Sequence, residues 1–307
     1  MLIVDGHCDT ATFLSEQEYA ASYGKSQVDF DALRRYGVGI QFWAIWQDKM
    51  QAPCSFTRGL KILQNSARAA AATSGMGVLT KKSQLDLAAQ GESLLFMGFE
   101  GVEQLEGDLD NLDIAQAAGC GFIGITWNHA NEAAAGCLAA EDSGLTAWGR
   151  RLIKKMNEKH LLLDLAHASE KTFWQALEVT EKIPVVSHTC CDALYHHPRN
   201  LSDTQLRALA QAGGVAGITF VAPFLAEENA GLSQVVAHIR HGVEVAGIRH
   251  IGIGSDFDGT DPIPGLEKGT ADLSNLCRAL SDDGFSKEEI AAIMGGNFFR
   301  VLQENLV

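Results

Sequence analysis

The chain has 307 residues, 46% of them hydrophobic and 20% charged, the balance of a globular protein with enough apolar residues for a sizeable core. Asp and Glu outnumber Lys and Arg by 38 to 24, and the net charge of −14 argues against nucleic acid or an anionic membrane as the main partner. No window approaches the roughly 18 continuous apolar residues of a membrane span, and Asp5, His7 and Asp9 interrupt the start where a signal peptide would carry its apolar stretch.

Eight short apolar runs recur along the chain: Leu2–Asp5, Ile40–Trp46, Leu94–Gly98, Phe122–Trp127, Leu161–Leu165, Ile183–Ser187, Val215–Val221 and His250–Gly254. Amphipathic stretches at 145–159, 169–181, 202–212 and 231–247 separate the later ones. A last stretch, 286–305, opens with Ser286 and Glu288-Glu289, the signature of a capped helix. Strands alternating with helices predict an α/β protein, a (β/α)8 TIM-type barrel with a parallel sheet. An open doubly wound sheet would need a glycine-rich phosphate turn. The best match, GIGSDFDG, puts Phe257 where the third glycine belongs. No Pro-, Gly- or Ser-rich linker and no short repeat divides the chain, so residues 1–307 are expected to form one barrel domain.

Seven cysteines (8, 54, 120, 137, 190, 191 and 277) make an odd, irregular set without a CxxC pair. They predict neither a disulfide framework nor a structural zinc ribbon, and a reduced, cytoplasmic chain is the expectation.

What ends each run carries the chemistry. The first run leads into His7 and Asp9, the third into Glu100, the fourth into His129, the fifth into His167, the sixth into His188 and the eighth into Asp256. In a barrel all C-terminal strand ends meet on one face, which carries the active site. His7 and Asp9, two apart, project to the same side of an extended backbone. Imidazole and carboxylate donors suit Zn2+, with Mn2+, Co2+ and Fe2+ as alternatives. Five donors exceed the three that one open catalytic zinc takes. They fit two ions: His7 and Asp9 on one, His167 and His188 on the other, Glu100 shared. Such pairs sit about 3.5–4 Å apart and activate a water between them.

The motifs DGHCD, GFEG, TWNHANE, GLTAWGRRLIKKMNE, DLAHAS, SHTCCDALYHHPRN and GIGSDFDG, in this order and over nearly the whole chain, resemble the membrane or renal dipeptidases. The resemblance implies a zinc-dependent homodimer of (β/α)8 barrels that hydrolyses dipeptides. It implies two Zn2+ per chain, bridged by Glu100 and a water or hydroxide and ligated by His7, Asp9, Glu100, His167 and His188. It implies that His129 contacts substrate and the oxyanion, that Arg199 holds the substrate carboxylate, and that Asp256 stands near the attacking water as proton acceptor and donor. The partner is then a small molecule, a dipeptide, and neither nucleic acid nor a membrane. Some members accept a D-residue at the second position, and nothing in these residues decides that here.

Other polar residues read as structural. Asp258 is expected to order its own turn, Cys8 to point away from the site, Cys190-Cys191 to pack, and His160, His196, His197, His238, His241 and His250 to be structural or solvated. The segments TATFL and ANEAAAGC are expected to line the substrate mouth. The start, the cysteines and the absence of an anchor-like tail resemble soluble microbial members rather than secreted ones. Two rivals stand. One is a related dinuclear hydrolase of another amide, a lactone or a phosphoester, whose relatives use HxH and a carbamylated lysine where this chain has HxD and Glu100. The other is a non-catalytic metal- or ligand-binding barrel, which should have lost a ligand or Asp256.

Overall fold

All eight apolar runs become strands, because β-branched and aromatic residues suit a sheet covered on both faces. The computed structural model describes residues 1–13, 26–47 and 54–307. Its strands are β1 (Ile3–Asp5), β2 (Val38–Ile45), β3 (Met76–Val78), β4 (Ser93–Glu100), β5 (Cys120–Gly124), β6 (Leu162–Asp164), β7 (Val185–Thr189), β8 (Val215–Ile218) and β9 (Ile251–Ile253). All pairings are parallel, and the ring closes through β1–β9 at Asp5↔Ile253 and through β2–β4 from Ile40↔Leu94 to Ile45↔Phe99. β3 stands outside this ring of eight and pairs only with the first half of β4. The eight-stranded barrel stands as expected, and β3 is an addition to it. Three residues with a central glycine leave no periodic signal to read.

Period-2 alternation along each strand makes two cores. Val4, Phe42, Phe96, Phe122, Leu162 and Val215 fill the barrel interior, while Trp43, Leu95, Met97 and Leu163 pack outward beneath the helices. Four of the expected helices run over Ala147–Lys159, Glu170–Val179, Asp203–Gln211 and Leu232–Ala246. Thr146, Ser169 and Ser202 cap the first three by accepting the amides of Gly149, Thr172 and Gln205.

The final segment starts at the expected Ser286–Glu289 capping box but is not one α-helix. Residues Ala292–Gly296 form a π turn between Lys287–Ala291 and Asn297–Asn305. Packing explains it. A Cβ on Gly295 would come within 2.6 Å of the Leu2 carbonyl and 2.7 Å of the Val4 amide, so the chain here touches the β1 backbone directly. That approach seats Phe298 in the barrel floor, 5.4 Å from the Phe42 ring. Truncating such a buried phenylalanine costs about 3–5 kcal/mol. The floor is thus plugged, and the open end is the one where the strands finish.

Among the described residues no helix is long and apolar enough to cross a membrane. No disulfide is present among the described residues. Cys8 belongs to the outer core, and Cys190 and Cys191 are buried in packing contacts.

Candidate metal centre

β1 and β9 continue past their paired residues as a clamp that aims the first donors. The Gly6 amide donates to Ile253 O, Cys8 N to Phe42 O, Asp9 N to Phe257 O, and Asp256 N to His7 O. Cys8 therefore faces the outer core while His7 and Asp9 share the inner side, with His7 Nε2 3.8 Å from Asp9 Oδ1. Beneath them lies Asp5, fully buried. Its Oδ1 accepts from Ser255 N at 2.8 Å and His7 N at 3.4 Å, and its Oδ2 from Ser255 Oγ at 2.6 Å and Gln41 Nε2 at 3.0 Å. Burial pushes its carboxyl up, and these bonds pull it back.

Glu100 ends β4 in the middle of the cluster. Its Oε2 faces His7 Nε2 at 3.8 Å, while Oε1 lies 2.8 Å from His167 Nε2 and 3.7 Å from His188 Nε2. His167 follows β6 and His188 lies within β7, and their Nε2 atoms are 2.9 Å apart. Asp256, after β9, brings Oδ1 to 4.0 Å from His7 Nε2. His167 and Asp256 both sit in the left-handed backbone region, at φ 65° and 63°. Non-glycine residues hold that geometry at a cost of about 1–3 kcal/mol each, and such outliers concentrate at functional sites.

The donor set fits a cation. The amide oxygen of Asn128 accepts from His167 Nδ1 at 2.7 Å, which leaves Nε2 a lone pair aimed inward. Burial, then Arg199, holds His167 well below the usual histidine range; burial, then His7, does the same for His188. Both are neutral imidazoles, the form that binds metal. His7 Nδ1, His7 Nε2 and Asp9 Oδ1 are buried with no hydrogen-bond partner. Burial alone would lower His7, but Glu100, Asp9 and Asp256 outweigh it and raise it to about 10. Burial drives Glu100 well above the carboxylate range against the pull of His7. Lone pairs facing lone pairs, and more buried carboxylates than cations, are resolved by a bound metal ion. His7, Glu100 and His188 offer one ligand atom each within 4.8 Å of one another, and so do His7, Asp9 and Asp256.

Asp9, Glu100, Asn128, His167, His188 and Asp256 line a cavity of about 380 Å3 walled by Trp46, Trp127, Val221 and Phe224, a size that suits a small ligand. Of the remaining residues singled out in the sequence, Asp258 is on its wall, and Arg199 and His129 are not. Arg199 is buried, donates Nη2 to His188 O at 3.2 Å and stacks 5.4 Å from the Phe224 ring. His129 is exposed on the rim, its Nδ1 3.3 Å from Leu138 O, and it is not part of the cavity wall. Its neighbour Asn128 is. Asp258 does not order only its own turn: it accepts from Thr10 Oγ1 at 2.6 Å, Gln27 N at 2.7 Å and Ser26 Oγ, clamping the mouth. Of the two expected mouth segments, TATFL ends at Leu14, outside the described residues; ANEAAAGC places Gly136 and Cys137 on a neighbouring cavity. Asn128 and Asp5 were missed in the sequence. Their signal was position alone, next to a donor at a strand end.

A closed parallel barrel with imidazoles and carboxylates converging at its C-terminal face is the arrangement of a metal-dependent hydrolase. Residues 1–306 match the model of the membrane dipeptidase family, peptidase family M19, and the chain belongs to that family. It is a metallo-dipeptidase by family, a hydrolase of peptide bonds. An uncharacterised dipeptidase of Schizosaccharomyces pombe is 29% identical over 329 residues, covering 97% of this chain and 80% of the relative. Two solved structures share the fold at 24% identity. One is a metallopeptidase of Rhodobacter sphaeroides liganded with a phosphinate mimic of L-Ala-D-Ala, with TM-score 0.89 and 99% of both chains covered. The other is a dipeptidase of family M19, with TM-score 0.92, covering 100% of this chain and 99% of that one.

Proposed function

We propose that the chain is a dinuclear zinc dipeptidase of the cytoplasm, active on dipeptides that include L-D pairs. One observation carries this reading: Glu100 divides its two oxygens, Oε2 lying 3.8 Å from His7 Nε2 and Oε1 2.8 Å from His167 Nε2 and 3.7 Å from His188 Nε2. That division supports a carboxylate shared between a His7–Asp9 site and a His167–His188 site. Two divalent cations so held would supply Lewis-acid polarisation of the scissile carbonyl and an acidified water.

The chain's own residues do the rest. Arg199 presents a planar guanidinium to the substrate's terminal carboxylate. An internal residue of a longer peptide has no such carboxylate, so the anchor selects dipeptides. Asp256 takes the proton of the attacking water and returns it to the leaving amine as the C–N bond breaks and the C–O bond forms. His129, on the rim, is assigned the donor that meets the carbonyl oxygen as charge develops, a role worth a few kcal/mol. The aromatic wall of Trp46 and Trp127 excludes water around the N-terminal residue of the substrate. The L-D assignment is supported by the dipeptide mimic bound to the similar Rhodobacter sphaeroides enzyme. The odd, irregular set of seven cysteines without a CxxC pair supports a reducing compartment. Homodimer assembly follows from the family resemblance and is checked by sedimentation.

The test is release of free amino acids from a panel of L-L and L-D dipeptides by zinc-reconstituted protein, with Glu100→Gln as control. Turnover that vanishes in the control supports the reading. Two bound metals with no dipeptide cleaved sinks it and directs the search to other amides, lactones and phosphoesters.

A further inference from the structure

A second cavity, of about 390 Å3, adjoins the first, and His167 is on the wall of both. It opens under the loops that follow β5, β6 and β7, and Arg199 and Asn200 line it. Arg199 is only 5% exposed and Asn200 8%, yet Arg199 Nε and Asn200 Oδ1 have no hydrogen-bond partner. Arg199 Nη2 donates to His188 O and Asn200 Nδ2 to Tyr195 O and Phe224 O, so in two consecutive residues one buried donor and one buried acceptor stay unmet, which is costly unless a ligand answers them. Their complement is a carboxylate next to an N–H group.

The charge of the wall sharpens this. Three carboxylates, Asp142, Glu170 and Asp192, face one guanidinium and the histidines 196 and 197. Asp142 is committed to the amides of Gly144 and Lys171 and the hydroxyl of Ser169, capping the following helix. One oxygen of Asp192 is committed to His196 Nδ1 and His197 N. The other oxygen of Asp192, and Glu170 exposed at the edge, are available to a cation.

We infer that this cavity receives the side chain of the substrate's C-terminal residue and selects a cationic side chain over an acidic one. The inference rests on the dipeptidase reading and names its substrate class: with the terminal carboxylate on Arg199, the side chain enters beside Asn200, Asp192 and Glu170. A partly exposed charge pair is worth up to about fivefold, so attraction of one sign and repulsion of the other, at about threefold each, give about tenfold.

Initial rates on L-Ala-L-Lys, L-Ala-L-Ala and L-Ala-L-Glu, with the matching D-residue series, decide it. The expected kcat/KM for the lysine substrate exceeds that for the glutamate substrate by about tenfold, mostly through KM. Glu170→Gln lowers the lysine substrate about threefold relative to Ala-Ala, and Glu170→Lys brings the lysine-to-glutamate ratio near one. If Ala-Ala is cleaved but lysine and glutamate substrates agree within about twofold, or Glu170→Lys shifts all three equally, the inference is overturned and the dipeptidase reading stands. If Ala-Ala itself is not cleaved, both fall.

Discussion

Removing the Asp5 carboxylate should damage fold and site together. In Asp5→Ala the buried backbone amides of Ser255 and His7 lose their acceptor, which now lies at 2.8 and 3.4 Å. The Ser255 hydroxyl and the Gln41 side-chain amide are spared, because they keep His7 O at 3.0 Å and Phe42 O at 3.3 Å. Two orphaned buried donors at about 1–3 kcal/mol each give a loss of roughly 2–6 kcal/mol. Asp5→Asn keeps one acceptor oxygen and should lose roughly half of that. The same bonds hold the strand ends that carry His7 and Asp256, so zinc affinity should fall about 10- to 100-fold, as when the support of a metal ligand is removed. Urea unfolding of the metal-free proteins measures the first effect, and competition against a chromophoric chelator measures the second. Asp5→Ala unfolding within about 1 kcal/mol of wild type, with zinc affinity intact, would refute the claim that Asp5 is the keystone beneath the site.

Further outcomes follow from the same geometry. Asn128→Ala removes the acceptor that fixes the His167 tautomer at 2.7 Å; affinity for zinc should drop about 10-fold or more while stability changes by less than about 1 kcal/mol. Equal zinc affinity in the variant counts against that role. Burial, then the like charge of Asp9, raises Asp256 to about 6 against the pull of His7 and Arg199. A base must be ionised, so activity is lost as pH falls through that value, and bound cations move the limb lower still; a limb in kcat/KM above about 7 contradicts the assignment. His7, raised to about 10, carries a proton at pH 8 in the metal-free protein, and zinc must displace it. Calorimetry in buffers of different ionisation enthalpy should show about one proton released per chain or more, and none released would be a refutation.

The fold was legible because each strand needs only a short run of apolar residues, and those runs stand out between amphipathic helices. The cluster was legible for the same reason: His7, Asp9, Glu100, His167 and His188, the proposed donors, are polar residues at the ends of apolar runs, where packing has no use for them. The rest depended on contacts that local sequence does not carry. β3 exists because β4 offers its first half as a pairing edge, and the π turn at Ala292–Gly296 because Gly295 meets β1. β5 stops at Gly124, and in the irregular backbone beyond it Asn128 lines the metal cavity while His129 stands exposed on its rim, 6.0 Å from the Trp127 ring, a placement no strand-end pattern carries. Asp258 looked like a turn residue, yet its partners Thr10 and Gln27 lie more than 230 positions away.

The most direct test of the two-ion centre is metal content measured with turnover. After zinc reconstitution and desalting, elemental analysis of the wild type should give two zinc ions per chain. Glu100→Gln, which keeps the side-chain shape but removes the shared charge, should give fewer than two and no dipeptide hydrolysis. One ion per chain at full activity, or a Glu100→Gln protein that keeps both ions and its turnover, would contradict the shared-carboxylate account.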